Sequence, residues 1–261
     1  MRAIATDPVE VMPYHAGMEY FDCLSRLHTA LAPQRYLEVG VWRGESLALA
    51  HAASIAIDPH FRLDRNVMAG KSACHLFQCE SDAFFAAQDP VALLGGPIDV
   101  AFLDGMHRFE FLLRDFANAE RVCHPGGAIV LHDCLPIDPR ITNRDQSEDL
   151  RRDAVVPGWW AGDVWKVPVL LKQFRPDLRM VAFDAPPTGL IVITNLDAAN
   201  CTLNLAYDAM VDAMMTVDLA DYGTRRLFDL LAPHSTALFD HPQALRAALF
   251  PGTALNIGAA P

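Results

Sequence analysis

Residues 36–44 read Tyr36-Leu37-Glu38-Val39-Gly40-Val41-Trp42-Arg43-Gly44, an apolar run that ends in an acid and opens into a loop with two glycines. The alanine- and leucine-rich stretch from Glu45 to Ala53 that follows reads as a helix. Four further apolar runs lie downstream. Ser54 to Ile57 stops at Asp58-Pro59, where proline cannot continue a central strand. His75 to Cys79 precedes a short helix from Ser81 to Ala87. Ile98 to Asp104 follows the break Gly95-Gly96-Pro97, and Phe109, Leu112, Leu113 and Phe116 then fit one helical face. Pro125-Gly126-Gly127 is expected to turn the chain into Ala128 to Leu131, which ends at His132-Asp133. Five short runs alternating with helices predict an α/β fold with a doubly wound, mostly parallel sheet. Right-handed crossovers then place helices on both faces, and ligands collect at the carboxyl ends of the strands. The polar residues that end the runs are therefore the candidates: Glu38, Asp58, Glu80, Asp104, His132 and Asp133.

The flanks differ in pattern. Tyr20, Leu24, Leu27 and Leu31 repeat at helical spacing within 18–31, so 1–33 reads as an N-terminal helical segment. The main domain is expected over 34–200. Within it, 138–163 is polar, carries Trp159-Trp160 and several arginines, and is long enough to be a lid loop. Val164 to Phe174 reads as a helix, and Met180 to Asp184 with Leu190 to Thr194 as an antiparallel hairpin. Residues 201–261 read as a helical C-terminal extension.

The chain has 261 residues and is 52% hydrophobic, which excludes a disordered polymer and allows a large core. With 21 basic against 32 acidic side chains the net charge is −11, which opposes binding to a nucleic-acid backbone and suits a small ligand or a divalent cation. The six cysteines form no zinc-type spacing and read as reduced thiols. No apolar run is long enough for a membrane span, and the first residues lack a signal-peptide layout. The expected setting is cytoplasmic, with a small-molecule partner, no nucleic acid and no membrane; a homo-oligomer is compatible.

Glycine at Gly40 and Gly44 lets the backbone turn sharply beside a ligand. Their spacing is not the G-x-G-x-x-G of dinucleotide sites. A carboxylate at Glu38 suits a ligand ammonium group better than a pyrophosphate, and Asp58 is placed to accept from ribose hydroxyls. Together these fit S-adenosylmethionine. Residues 34–134 resemble the class I S-adenosylmethionine-dependent methyltransferases, with Glu38 to Gly44 as their first motif and Asp58 as the ribose acid. The resemblance implies the Rossmann-like methyltransferase fold and an adenine beside Glu80-Ser81-Asp82. Glu38, Gly40, Gly44, Asp58, Ser81 and Asp104 form the expected cofactor set.

Asp104-Gly105-Met106-His107 and His132-Asp133 end neighbouring runs. Two carboxylates with imidazole form a reasonable set for Mg²⁺ or Mn²⁺, which would orient a hydroxyl acceptor and lower its pKa. A neutral His107 would take the proton. The segment is also similar to metal-dependent O-methyltransferases of natural-product sugars and their cephalosporin hydroxylase-like relatives. That likeness implies Asp104 as a metal ligand, His107 as the base and Asp133 as the second acid of a pair. His132 stands where those proteins carry the first acid, so Asp104, His132 and Asp133 are the expected metal set. Asp163, in Gly162-Asp163-Val164-Trp165-Lys166, is expected to cap the helix that follows it. The alternatives are a metal-independent N- or carboxyl-methyltransferase and a non-catalytic module that keeps the fold.

Overall fold

The computed structural model describes residues 9–252. The first eight residues, where a leader is not expected, and the end of the C-terminal extension lie outside the described residues. Strands β1 (Arg35–Val39), β2 (Ala53–Ile57), β3 (Cys74–Phe77), β4 (Ile98–Leu103), β5 (Cys123–His132), β6 (Arg179–Phe183) and β7 (Leu190–Thr194) form one sheet. Its order is β3-β2-β1-β4-β5-β7-β6. The first five strands run parallel, whereas β7 pairs antiparallel with both β5 and β6.

Strand alternation divides the core between the two faces of the sheet. Leu37, Val39, Ile55, Ile57, Ala101 and Leu103 pack with Phe109, Leu113 and Phe116 of α5 (Phe109–Val122). On the other face Tyr36, Ala56, Val100, Phe102 and Val130 pack with Leu24 and Leu27 of α1 (Tyr20–Leu31). The periodic faces read from the sequence are thus the buried ones. Among the described residues no helix is long and apolar enough to cross a membrane. All six cysteines are free.

Two elements depart from the sequence reading. The helix expected over Glu45 to Ala53 ends at Leu49 as α2 (Glu45–Leu49). Ala53 is drawn into the sheet opposite Arg35, and the Lys71 ammonium takes the carbonyls of Leu47 and Ala50. Sheet pairing overrides the helical preference of the alanines. Strand β5 begins at Cys123, before Pro125-Gly126-Gly127 rather than after it. Cys123 pairs with Ile98 and Ala128 with Val100, so a register shift absorbs the residues between them.

Residues 138–163 contain two short 3₁₀ turns, Pro139–Ile141 and Glu148–Arg151. They gather a small apolar cluster of Ile141, Ala154, Ala161 and Trp159. Three of the segment's arginines are engaged within it: Arg140 with Asp138, Arg151 with the Trp159 carbonyl, and Arg152 with Asp149. Arg144 bridges Asp163 and Glu110 of α5, and the Asp163 N–H donates to the His107 carbonyl, so the segment is docked on the domain by specific contacts.

Candidate active site

The glycine loop is held from three sides. Tyr36 and Glu38 are two residues apart on β1 and share a face, so the Tyr36 hydroxyl donates to Glu38 Oε2 at 2.6 Å. The Ser46 hydroxyl of α2 donates to Glu38 Oε1 at 2.6 Å. Glu38 is fully buried, and burial pushes its carboxyl up to about 8 despite the hydrogen bonds from Ser46 and Tyr36. The two hydroxyls at Glu38 tie β1 to the start of α2. Asp58 also serves the loop. Its Oδ2 accepts from the backbone N–H of Val41 and of Trp42, both at 2.8 Å, and its Oδ1 accepts from the His60 N–H at 2.6 Å.

These contacts hold Trp42 at φ 43°, an outlier for a bulky side chain, with its indole about half exposed. Gly40 has φ 84°, and a Cβ there would sit 2.0 Å from the Asp104 carbonyl oxygen. The first glycine is therefore required by the neighbouring β4 exit, and the glycine loop lies directly against the Asp104 turn. Gly44 has φ 80°, and a Cβ there would meet Val67 at 2.6 Å. Ser81 opens α3 (Ser81–Ala87), and its hydroxyl works against the effect of burial on the carboxyl of Asp115 in α5. Asp115 was not singled out by the sequence. Burial pushes its carboxyl up to about 7, and its Oδ1 has no partner. A carboxyl on the buried side of an otherwise apolar helix face was the available signal.

The polar ends of β4 and β5 converge. Asp104, His107 and Asp133 each offer a ligand atom, all within 4.8 Å of one another. His107 Nε2 lies 3.2 Å from Asp133 Oδ2 and 3.6 Å from Asp104 Oδ1. Its Nδ1–H donates to the Trp160 carbonyl at 3.0 Å, and the indole of Trp160 stacks on the imidazole with centroids 4.9 Å apart. His132 Nδ1 lies 3.2 Å from Asp104 Oδ1 and 3.3 Å from Asp133 Oδ2. The structure thus brings together the side chains of Asp104, His107, His132 and Asp133, with both imidazoles within 3.6 Å of both carboxylates.

Burial disfavours charge on both imidazoles, but Asp133 and Asp104 outweigh it and hold His107 up to about 9 and His132 up to about 10. Burial likewise opposes ionisation of Asp104, whereas His132 and His107 hold its carboxyl below the usual carboxylate range. The half-buried Asp104 and the buried Asp133 thus face positive charge, which protonated imidazoles supply. The donor set of two carboxylates and imidazole fits a divalent cation equally well. The Trp160 carbonyl holds the Nδ1–H of His107, which leaves Nε2 facing the carboxylates. His132 faces them through Nδ1, and its Nε2 is buried with no hydrogen-bond partner.

Residues from distant segments complete the walls. The Tyr20 ring, read from the sequence only as part of a helix face, stacks on His132 with centroids 4.0 Å apart. Asp163 does not cap α6 (Lys166–Phe174). Its Oδ1 accepts from the Phe109 N–H at the start of α5, at 2.9 Å, and its Oδ2 takes Arg144 and Lys166. The correction follows from packing: residues 160–163 fold over the His107 turn, where α5 begins. Gly162, at φ 62°, lies so close that a Cβ would meet the His107 carbonyl at 1.8 Å.

No curated protein matches the chain in sequence. Among solved structures, an O-methyltransferase of Bacillus cereus in complex with SAH is 13% identical, with 71% of this chain and 83% of that one covered and a TM-score of 0.47. The O-methyltransferase TomG of Streptomyces achromogenes, in complex with SAM, is 15% identical over 67% of this chain and 78% of its own, with a TM-score of 0.43. Residues 37–134 match the family model described as a methyltransferase domain, a stretch that runs from β1 through the glycine loop to the end of β5. Over that stretch, which holds the glycine loop and the Asp104 turn, the chain is similar to a methyltransferase domain.

Proposed function

We propose that the protein transfers the methyl group of S-adenosylmethionine to a hydroxyl of a small molecule, such as a sugar or natural product, with the help of a divalent cation, Mg²⁺ or Mn²⁺. The observation that carries this reading is the contact between the two constellations. Gly40 of the cofactor loop abuts Asp104, whose carboxylate belongs to the Asp104–His107–Asp133 cluster. A methyl donor on the loop and an acceptor at the cluster would share one cleft.

In this reading Glu38, Gly40, Gly44, Asp58, Ser81 and Asp104 form the cofactor side. Glu38 acts through the loop it fixes. Asp58 Oδ1 keeps one lone pair, beyond the three acceptor sites used by Val41, Trp42 and His60, for a ribose hydroxyl. Asp104 and Asp133 hold the cation, with the imidazole of His132. The sulfonium supplies an activated methyl, and the cation supplies charge that lowers the pKa of an acceptor hydroxyl.

The remaining work falls to the chain. The Trp160 carbonyl fixes the Nδ1–H tautomer of His107, so Nε2 is the atom that faces the cleft. Beside two bare carboxylates Nε2 stays protonated and cannot serve as a base. Charge compensation of Asp104 and Asp133 releases that proton, leaving a lone pair able to accept one from the acceptor as the C–O bond forms. Trp160, stacked on the ring, shields it from water.

The test combines calorimetry with a radiolabelled-methyl assay over hydroxyl acceptors. S-adenosylhomocysteine should bind whereas NADH should not, and chelator should stop transfer until Mg²⁺ or Mn²⁺ is returned. Full turnover in excess chelator would remove the cation and favour a metal-independent enzyme. Failure to bind S-adenosylhomocysteine would remove the cofactor.

A further inference from the structure

One contact at the cluster comes from the far edge of the sheet. Asp133 follows β5 with φ 60°, and its two carboxylate oxygens face different partners. Oδ2 faces His107 Nε2 and His132 Nδ1 at 3.2 and 3.3 Å. Oδ1 accepts a hydrogen bond from the hydroxyl of Thr188, in the loop between β6 and β7. Thr188 is 1% exposed. Its backbone is anchored as well, since its carbonyl accepts from the Leu135 N–H at 2.8 Å. Beside it Gly189, at φ 79°, lies close enough to Leu135 that a Cβ would sit 2.4 Å from the leucine Cβ. The antiparallel pairing of His132 with Leu190 brings this loop to the end of β5.

We propose that Thr188 is a positioning residue for the metal-binding carboxylate, an inference that rests on the cation reading above. An ionised carboxylate only accepts hydrogen bonds, so the Thr188 hydroxyl must donate. That donation occupies Oδ1, fixes the rotation of the carboxylate plane and leaves Oδ2 as the single oxygen offered to the cluster. Without it, Oδ1 is a buried acceptor with no partner, and the carboxylate turns to find one. A ligand that must first be oriented binds its ion more weakly, and loss of such an outer partner typically lowers metal affinity about 10–100-fold.

Thr188 could instead serve only to brace the left-handed turn at Asp133, so the test separates the two roles. Mn²⁺ is titrated into the full chain with free Mn²⁺ read by electron paramagnetic resonance, and S-adenosylhomocysteine binding is measured by calorimetry on the same samples. Thr188→Val should weaken Mn²⁺ binding about 10–100-fold and leave S-adenosylhomocysteine affinity unchanged. Thr188→Ser, which keeps the hydroxyl, should bind Mn²⁺ nearly as wild type does. If valine prevents folding, Thr188→Ala carries the same comparison. Wild-type Mn²⁺ affinity in the valine or alanine variant overturns the proposal, as does an equal loss of both ligands or a failure of serine to restore binding. Absence of Mn²⁺ binding in the wild type overturns the cation reading itself, and this role with it.

Discussion

Glu38→Gln should change the pH dependence of stability in a way few substitutions can. The Glu38 carboxyl is wholly buried and pushed from an ordinary 4.5 up to about 8, by burial first and against the pull of Ser46 and Tyr36. Below pH 4.5 the proton is bound in both folded and unfolded chains, and the stabilisation from keeping it is fully present. Between 4.5 and about 8 the unfolded chain ionises while the folded one still holds its proton, so folding becomes steadily less favourable. Above about 8 both states are ionised and the loss is complete. At about 1.4 kcal/mol per pKa unit the full loss is on the order of 4–5 kcal/mol.

Glutamine mimics the protonated acid, with one donor and one acceptor for the Tyr36 and Ser46 hydroxyls, which can rotate to suit. Denaturant midpoints at pH 5, 7 and 9 should therefore show the two proteins close together at pH 5 and the variant increasingly the more stable toward pH 9. Asp115, His107 and His132 also titrate from raised values, but they are common to both proteins and largely drop out of the difference. A constant offset across the range would refute the reasoning. The same variant separates two roles for Glu38. If the residue only fixes the loop, S-adenosylhomocysteine affinity survives; if its charge meets the ligand ammonium, affinity falls while the fold holds.

Gly40→Ala should lower the melting temperature and S-adenosylhomocysteine affinity together, because its Cβ would enter the Asp104 carbonyl at a φ of 84°; unchanged calorimetric affinity would refute the close approach. Mn²⁺ affinity should rise with pH up to about 9–10, since the ion must displace protons that Asp133 and Asp104 hold on His107 and His132; a pH-independent isotherm would count against binding at this cluster. Away from the site, Arg175 is buried against Glu120 with paired contacts of 2.6 and 2.8 Å. Arg175→Ala leaves that carboxylate buried with only the Asp197 N–H as a partner, so denaturation should show a loss of about 3–5 kcal/mol, with cofactor affinity retained in the folded fraction.

What the sequence disclosed and what it withheld follow from the range of the interactions. Runs such as Leu37-Glu38-Val39 and Phe102-Leu103-Asp104 could be read because strand burial and the polar residue that ends it are local properties, and the wound sheet then dictates that such ends share an edge. That logic gathers Asp104, His107, His132 and Asp133 from the sequence alone. It was weaker on direction. Tyr36 and Glu38 lie on one face by simple alternation, so the turning of Glu38 toward a buried phenol was legible in principle, yet the residue reads as ligand-facing if only the loop beyond it is considered. Asp163 looked like a helix cap because capping is the commonest local use of aspartate, whereas the fold spends it on a different helix. Asp58 likewise sits at the expected strand end while its oxygens brace Val41 and Trp42.

The contacts that give the cluster its shape come from elsewhere. Tyr20 reaches His132 from α1, Trp160 reaches His107 from the docked loop, and Thr188 reaches Asp133 from the β6–β7 turn. None of these three shares a local pattern with its partner. Each is brought in by the helix packing, loop docking and antiparallel pairing that surround the parallel half of the sheet. Chemically active groups can thus be read from strand ends alone, but the features that set their tautomer, exposure and orientation are long-range. For this reason the metal affinity of Thr188 variants and the pH profile of Glu38→Gln are more searching tests of the site than substitution of the acids themselves.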